Sequence, residues 1–156
     1  MARLPLAARL VMKLDVWSVR WTGASFFMWA FSRRAGLHKD PQFETRKARA
    51  LILTTRGRRS GRERSVVLPY FTVGDTTFVV GSKGGSPEDP DWVCNLRAAP
   101  AARVRMNRRS QPVRTRLATP EERAVLWPAL VALAPTYGDY QRATRREIPL
   151  MILETA

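Results

Sequence analysis

The sequence predicts an α+β fold, a small antiparallel β-barrel flanked by helices. Three observations predict it. Six short apolar or β-branched runs lie between Ala50 and Leu153, separated by turns rich in Gly, Pro and Asp. Between and after them stand segments with helix-start chemistry, above all Thr119-Pro120-Glu121-Glu122. With 156 residues, 45% of them hydrophobic, the chain can bury one sizeable core and no more.

In chain order, Leu10, Leu14, Trp17, Trp21, Ala24, Met28 and Phe31 recur at spacings of three and four, which predicts an amphipathic helix from about Leu4 to Ser32. Its longest uncharged part, Trp21 to Ser32, falls short of the roughly twenty residues that a membrane span requires. Lys13, Asp15 and Arg20 break what would otherwise read as a secretory leader, so a cytoplasmic location is expected. The helix either covers the domain or lies in the interface at the inner face of the membrane, with its aromatics in the headgroup layer. Gly36 to Gln42 ends it and gives the expected boundary, residues 1–42 for the arm and 43–156 for the barrel domain.

Ala50 to Thr55 and Val66 to Tyr70 read as buried strands. The residues joining them hold Gly57, Gly61 and five arginines, Arg56, Arg58, Arg59, Arg62 and Arg64. Glycines there let backbone N–H groups approach a ligand, and guanidinium forks supply charge, which suits a phosphate or carboxylate clamp. Composition alone favours the plainer reading of a solvated basic hairpin. Val67 to Val73, a Gly74-Asp75 turn and Thr76 to Gly81 form the next hairpin, followed by a second glycine-rich loop, Ser82 to Pro87. Asp89-Pro90-Asp91 opens a short helix carrying Trp92, Val93 and Leu96, with Asp89 as its expected cap. Ala101 to Met106 and Pro112 to Ala118 are two more strands. The helix after Thr119 is expected to turn Val125, Leu126, Leu130 and Leu133 inward. Thr136 to Gln141 reads as a helical turn with Tyr137 and Tyr140 near one face, before a last strand from Ile148 to Leu153.

A net charge of +14 points to an anionic partner. Only four of the 27 basic residues are lysine, so the charge reflects coding bias as well as selection. One cysteine, Cys94, excludes an internal disulfide and a cysteine-built metal site; no metal is expected. The sole histidine, His38, sits in a polar turn, which argues against a histidine-based catalytic triad.

Leu53 to Gly61, Gly81-Ser82-Lys83-Gly84-Gly85, Pro90 to Pro100, and Tyr137-Gly138-Asp139-Tyr140-Gln141 with Thr144, Arg145 and Ile148-Pro149 together resemble the deazaflavin-dependent nitroreductase family. The likeness runs from about Ala50 to Glu154. It implies a split, FMN-binding-like β-barrel that binds reduced coenzyme F420, an 8-hydroxy-5-deazaflavin, and passes hydride to a small-molecule acceptor: a quinone, a nitroaromatic or an activated C=C compound. Carried over by position, the resemblance puts Arg58, Arg59 and Ser60 on the phosphate or tail, and Arg64, Ser65, Val66 and Val67 beside the ring system. Val80, Gly81, Ser82 and Lys83 run along the ring, Asp91, Trp92 and Asn95 stand at the helix start, and Tyr137 lies over the open face.

The coenzyme supplies the redox chemistry, so the chain needs no nucleophile of its own. A hydrogen-bond donor to the acceptor is expected from Ser82 or Tyr137, with Tyr140 shaping the acceptor pocket and Trp92 as its wall. Two departures, Ala134 and Pro69 where the family often carries tyrosine or another polar group, put activity on nitroaromatics in doubt. The alternatives are an FMN-dependent oxidoreductase on the same barrel and a nucleic-acid-binding barrel built on Arg103, Arg105, Arg108, Arg109, Arg114 and Arg116. The second is the weaker, because aromatics are not interleaved with those arginines. The resemblance also makes a homodimer an expected state.

Overall fold

The computed structural model describes residues 50–106 and 109–155, together with Val16. The predicted N-terminal helix, His38 and the boundary at residue 42 lie outside those residues. Strands β1 (Ala50–Arg56), β2 (Glu63–Val73), β3 (Thr76–Val80), β4 (Ala101–Met106), β5 (Arg109–Leu117) and β6 (Leu150–Thr155) close into a barrel in the order β1-β2-β3-β6-β5-β4. All six pairings are antiparallel. Helix α1 (Asp91–Ala98) follows β3, and α2 (Pro120–Leu133) and α3 (Thr136–Arg142) lie between β5 and β6. The barrel and the helices flanking it are those the sequence predicts.

Strand alternation sorts the apolar residues into two cores. Leu51, Leu53, Val79, Val104, Val113 and Met151 form one, and α1 packs Trp92, Val93 and Leu96 into it. On the opposite faces of β2, β3 and β6, Phe71, Phe78, Val80, Leu150 and Ile152 form the other, covered by Leu126, Leu130, Ala134 and Tyr137 from α2 and α3. Burying one such Leu or Phe contributes roughly 1.5–3 kcal/mol.

Strand β2 is a single run serving two partners. Its first part, Glu63–Pro69, pairs with β1, whereas β3 joins it only over Tyr70–Val73. Pro69 has no N–H to give a ladder and stands where the β3 pairing stops. The β2–β3 ladder therefore ends at Tyr70, one residue before β3 itself ends, and the first half of β2 runs on beside β1 alone.

Register also fixes which connections share an end. The C-terminal ends of β1, β3 and β5 meet the N-terminal ends of β2, β4 and β6, since Arg56 pairs with Glu63, Thr55 with Ala102, Val80 with Leu150 and Leu117 with Met151. The arginine loop 57–62, the loop after β3, all three helices and the lead into β6 are consequently attached at one pole. The Gly74-Asp75 turn and the paired ends Met106 and Arg109 belong to the other.

At the start of α2 the capping box is complete: the Thr119 hydroxyl accepts from the Glu122 amide at 3.3 Å, and Glu122 accepts from the Thr119 amide at 2.8 Å. Arg116 grips both Glu122 oxygens at 2.6 and 2.7 Å and Glu154 at 2.6 Å. The Arg116 guanidinium, and then the Thr119 amide, hold the Glu122 carboxyl down at about 2. A carboxyl depressed in the folded state stabilises above its unfolded value, near 4.5, and loses that contribution as pH falls towards 2. The parent chain should therefore lose more of its melting temperature between pH 6 and pH 3 than Glu122→Gln, which keeps a capping oxygen without the charge. Equal losses in paired thermal melts would disprove the link.

Several expectations need correction. Val125 is 65% exposed and Leu133 is exposed too; only Leu126 and Leu130 of the four face inward. The last strand begins at Leu150, because Ile148 and Pro149 are used in the joint before it. Asp89 does not cap α1. Pro90 occupies the cap in extended conformation with no side-chain bond, and the Asp89 carboxylate is taken instead by Arg97 and Arg146.

Candidate functional site

The arginine loop is a tight turn. The Gly57 amide donates to the Arg62 carbonyl at 2.9 Å, and the Ser60 and Gly61 amides donate back to the Gly57 carbonyl at 3.2 and 2.8 Å. Gly61 takes φ +65°, a conformation glycine adopts without steric cost. The loop is latched to α1 through Asn95, which is buried. Its Oδ1 accepts from the Arg58 amide at 3.1 Å and from Arg58 Nη1 at 3.2 Å, and its Nδ2 donates to the buried Thr55 hydroxyl at 3.2 Å. Arg58 Nη1 also meets Asp91 Oδ1 at 3.0 Å. Arg58, Asp91 and Asn95, assigned to cofactor binding by resemblance, are thus brought together, and they bind one another. Arg59, Ser60, Arg64 and Ser65 are exposed around this latch, with Ser65 Oγ 2.9 Å from the Thr54 hydroxyl. Val66 and Val67 are half-buried on the part of β2 that leaves β3.

Beyond β3, Val80 is core and Gly81 is clenched in a joint. Its amide donates to the Pro149 carbonyl at 2.9 Å, and a Cβ there would meet Pro149 Cγ at 2.7 Å and Val93 Cγ2 at 2.8 Å. A glycine is required here by the packing between strand, helix and lead-in. Ser82 follows, half-buried, and then Lys83, Gly84 and Gly85 all take positive φ, of 48°, 63° and 79°. For lysine this conformation costs about 1–2 kcal/mol. The Lys83 ammonium meets Glu88 at 3.2 Å on the surface. A Cβ on Gly84 would meet nothing within 4 Å, so the turn faces open space.

Helix α3 leans on this loop, since a Cβ on Gly85 would come within 3.0 Å of the Tyr140 carbonyl. Tyr137 and Tyr140 do lie near one another, edge to face at 5.8 Å between centroids. The ring of Tyr137 is 5% exposed, edge-on to Phe71 in the outer core, rather than over an open face; Tyr140 is half-buried at its margin. Trp92 likewise lies in the barrel core.

A residue that sequence reasoning passed over is Arg146, in the segment between α3 and β6. Its guanidinium donates to the carbonyls of Gly81 at 2.9 Å, Ser82 at 2.7 Å and Ser86 at 2.9 Å, and to Asp89 Oδ1 at 2.8 Å. Nothing in its own sequence surroundings sets it apart from Arg145 beside it. Gln141 closes the same segment, donating to the Arg146 carbonyl at 2.7 Å and accepting from the Ile148 amide at 3.0 Å. Arg123 donates to the Ile148 carbonyl at 2.6 Å; burial pushes its pKa down, and Glu147 opposes the shift.

The pole therefore brings together a cationic loop, a turn that is open around Gly84 and a helix end carrying Tyr137 and Tyr140. The family profile described as F420H(2)-dependent quinone reductase matches residues 28–155. The chain belongs to the F420H(2)-dependent quinone reductase family. It is 33% identical over 107 residues to an F420H(2)-dependent quinone reductase of Mycobacterium tuberculosis, covering 67% of this chain and 72% of that protein. Among solved structures, the F420-H2 dependent reductase FDR-A superposes with a TM-score of 0.60 at 35% identity, covering 67% of this chain and 93% of that one. A second, described as a domain-swapped dimer, gives a TM-score of 0.61 at 30% identity over 80% and 98% of the two chains.

As a member of this family the chain is an F420-dependent reductase, which sets aside FMN as the cofactor. The nucleic-acid reading loses Arg116 to its two glutamates, and Arg108 lies outside the described residues. Among the described residues no helix is long and apolar enough to cross a membrane.

Proposed function

We propose that the chain reduces a quinone with reduced coenzyme F420 at the pole where the arginine loop, the Ser82–Gly85 turn and α3 converge. The observation carrying this reading is the open turn. Gly84 stands in open space within a positive-φ run, at the same pole as the latched arginine loop, and these residues fit a flat ring with an anionic tail. Bound there, the reduced deazaflavin supplies the hydride.

The chain's own residues orient coenzyme and acceptor, and solvent supplies the proton. Arg59 and Ser60, on a loop fixed by Arg58, Asn95 and Asp91, take the phosphate or tail, and Arg64 to Val67 border the ring on β2. Val80, Gly81, Ser82 and Lys83 form its floor, with Trp92 supporting them from the core. Ser82 gives a hydrogen bond to the acceptor oxygen as it gains electron density, and a quinone takes one proton with its hydride to become a hydroquinone. Tyr137 fixes Tyr140 edge-on, and Tyr140 shapes the acceptor side. A cytoplasmic enzyme meeting a lipid-dissolved quinone through peripheral contact of its aromatic N-terminal segment, and a homodimer like the domain-swapped relative, complete the proposal.

The test is anaerobic oxidation of reduced coenzyme F420, followed by recovery of deazaflavin absorbance, with a short-chain quinone, a nitroaromatic and an activated enone in parallel. Quinone should be turned over fastest. Oxidation no faster than in the absence of protein, for all three acceptors, would sink the proposal.

A further inference from the structure

We infer that Arg146 is the positioning residue of the Gly81–Asp89 loop, its guanidinium fixing where Ser82 and Lys83 stand towards the coenzyme ring. The inference rests on the hydride-transfer reading above and adds to it a residue that touches neither coenzyme nor acceptor.

Only 15% of the Arg146 side chain is exposed, and its partner Asp89 is 16% exposed. Four oxygens from Gly81, Ser82, Ser86 and Asp89 converge on this one cation. Without it they would face each other across a dry gap, so the loop would have to open. Two of these bonds come from the same nitrogen, Nη2, to the successive carbonyls of Gly81 and Ser82. That demands a helical Ser82, with φ −69° and ψ −40°, and leads the backbone into the left-handed run Lys83, Gly84 and Gly85. The strained turn thus begins directly after the bonded pair. The loop's other end is pinned as well, because the second Asp89 oxygen takes Arg97 Nη1 of α1 at 2.5 Å. A planar guanidinium spans acceptors from four residues; an ammonium on a flexible stem does not.

The experiment compares the parent chain with Arg146→Lys and Arg146→Gln, first without coenzyme. Amide hydrogen exchange at Gly85 and Ser86, whose N–H groups donate to the Ser82 and Lys83 carbonyls, should speed up at least tenfold in both variants, with the α2 amides unchanged. Unchanged loop exchange in Arg146→Lys, the variant retaining charge, overturns the inference whatever the coenzyme does. With reduced coenzyme F420 and a short-chain quinone, kcat should fall tenfold or more while KM for the coenzyme stays within threefold, because the arginine loop that holds the tail is untouched. A loose loop with unaltered kcat would make Arg146 merely structural. A parent chain that neither binds nor oxidises the coenzyme fails the functional reading itself, and the positioning role falls with it.

Discussion

Arg58→Ala is expected to weaken binding of reduced coenzyme F420 and to lower the melting temperature, whereas Asp91→Asn is expected to leave binding unchanged or tighter. Arg58 joins the arginine loop to α1 by side-chain bonds to Asn95 and Asp91, so its loss loosens the loop, which keeps only the backbone-amide bond to Asn95, and deprives the buried Asn95 oxygen of one of its two donors. The Arg58 bond to the buried Asn95 oxygen contributes about 1.5–3 kcal/mol to holding the loop, and where that much is needed to order the loop for the coenzyme, affinity falls by roughly ten- to hundredfold. Asp91 is 89% exposed, and its carboxylate sits where an anionic tail would be repelled. If Asp91 touched the coenzyme directly, removing its charge would weaken binding. If it only steadies Arg58, an exposed ion pair of this sort is worth 1 kcal/mol or less, and the relief of repulsion offsets it. Arg59→Ala should also bind more weakly by about tenfold, again by the worth of one charged contact. Fluorescence titrations of the three variants, with melting curves beside them, separate these outcomes. Parent-like affinity in both arginine variants would remove the clamp from the mechanism.

Gly81→Ala is expected to be the most damaging single methyl in the described chain. The added carbon would meet Pro149 Cγ at 2.7 Å and Val93 Cγ2 at 2.8 Å, and the strand, α1 and the lead into β6 must move apart to admit it. Overpacking of this kind costs about 1–3 kcal/mol, a fall of several degrees in melting temperature for a chain of this size. Gly84→Ala is the control. Its Cβ has open space, so only the positive φ of 63° opposes it, at about 1 kcal/mol. If Gly81→Ala melts with the parent, or above Gly84→Ala, the joint is looser than its distances imply.

The barrel was legible because its information is local. Apolar, β-branched runs such as Leu51 to Thr55, the Gly74-Asp75 turn and the Thr119 capping box each specify their own backbone, and three of the six pairings, β1 with β2, β2 with β3 and β4 with β5, follow from short connections. What the sequence hid is long-range. Arg146 is bonded to Gly81 and Ser82, more than sixty positions earlier, and no periodicity marks a guanidinium that will be wrapped by carbonyls. Asp89 misled for the same reason: an aspartate before a Pro-Asp pair suits a cap, but two arginines compete for its carboxylate and win. Val125 misled because α2 is apolar on nearly every side, so spacing alone could not tell which side the barrel covers. Of the site, residue types and loops were readable, while the bonds that join Arg58 to Asn95 and Asp91 were not.

The two cores lie on opposite faces of the same strands, with a consequence for how this family can diverge. Along β3, Phe78 and Val80 face one core and Val79 the other; along β6, Leu150 and Ile152 face one and Met151 the other. Neither strand keeps a run of positions open to neutral drift, since a change of volume on either face presses on one core and displaces the backbone that frames the second. Substitutions compatible with the fold should therefore accumulate on β4, β5 and the outer side of α2. In a mutational library, β3 and β6 should appear as a pair of intolerant stripes, joined through Gly81 and Pro149 to the Ser82–Gly85 turn.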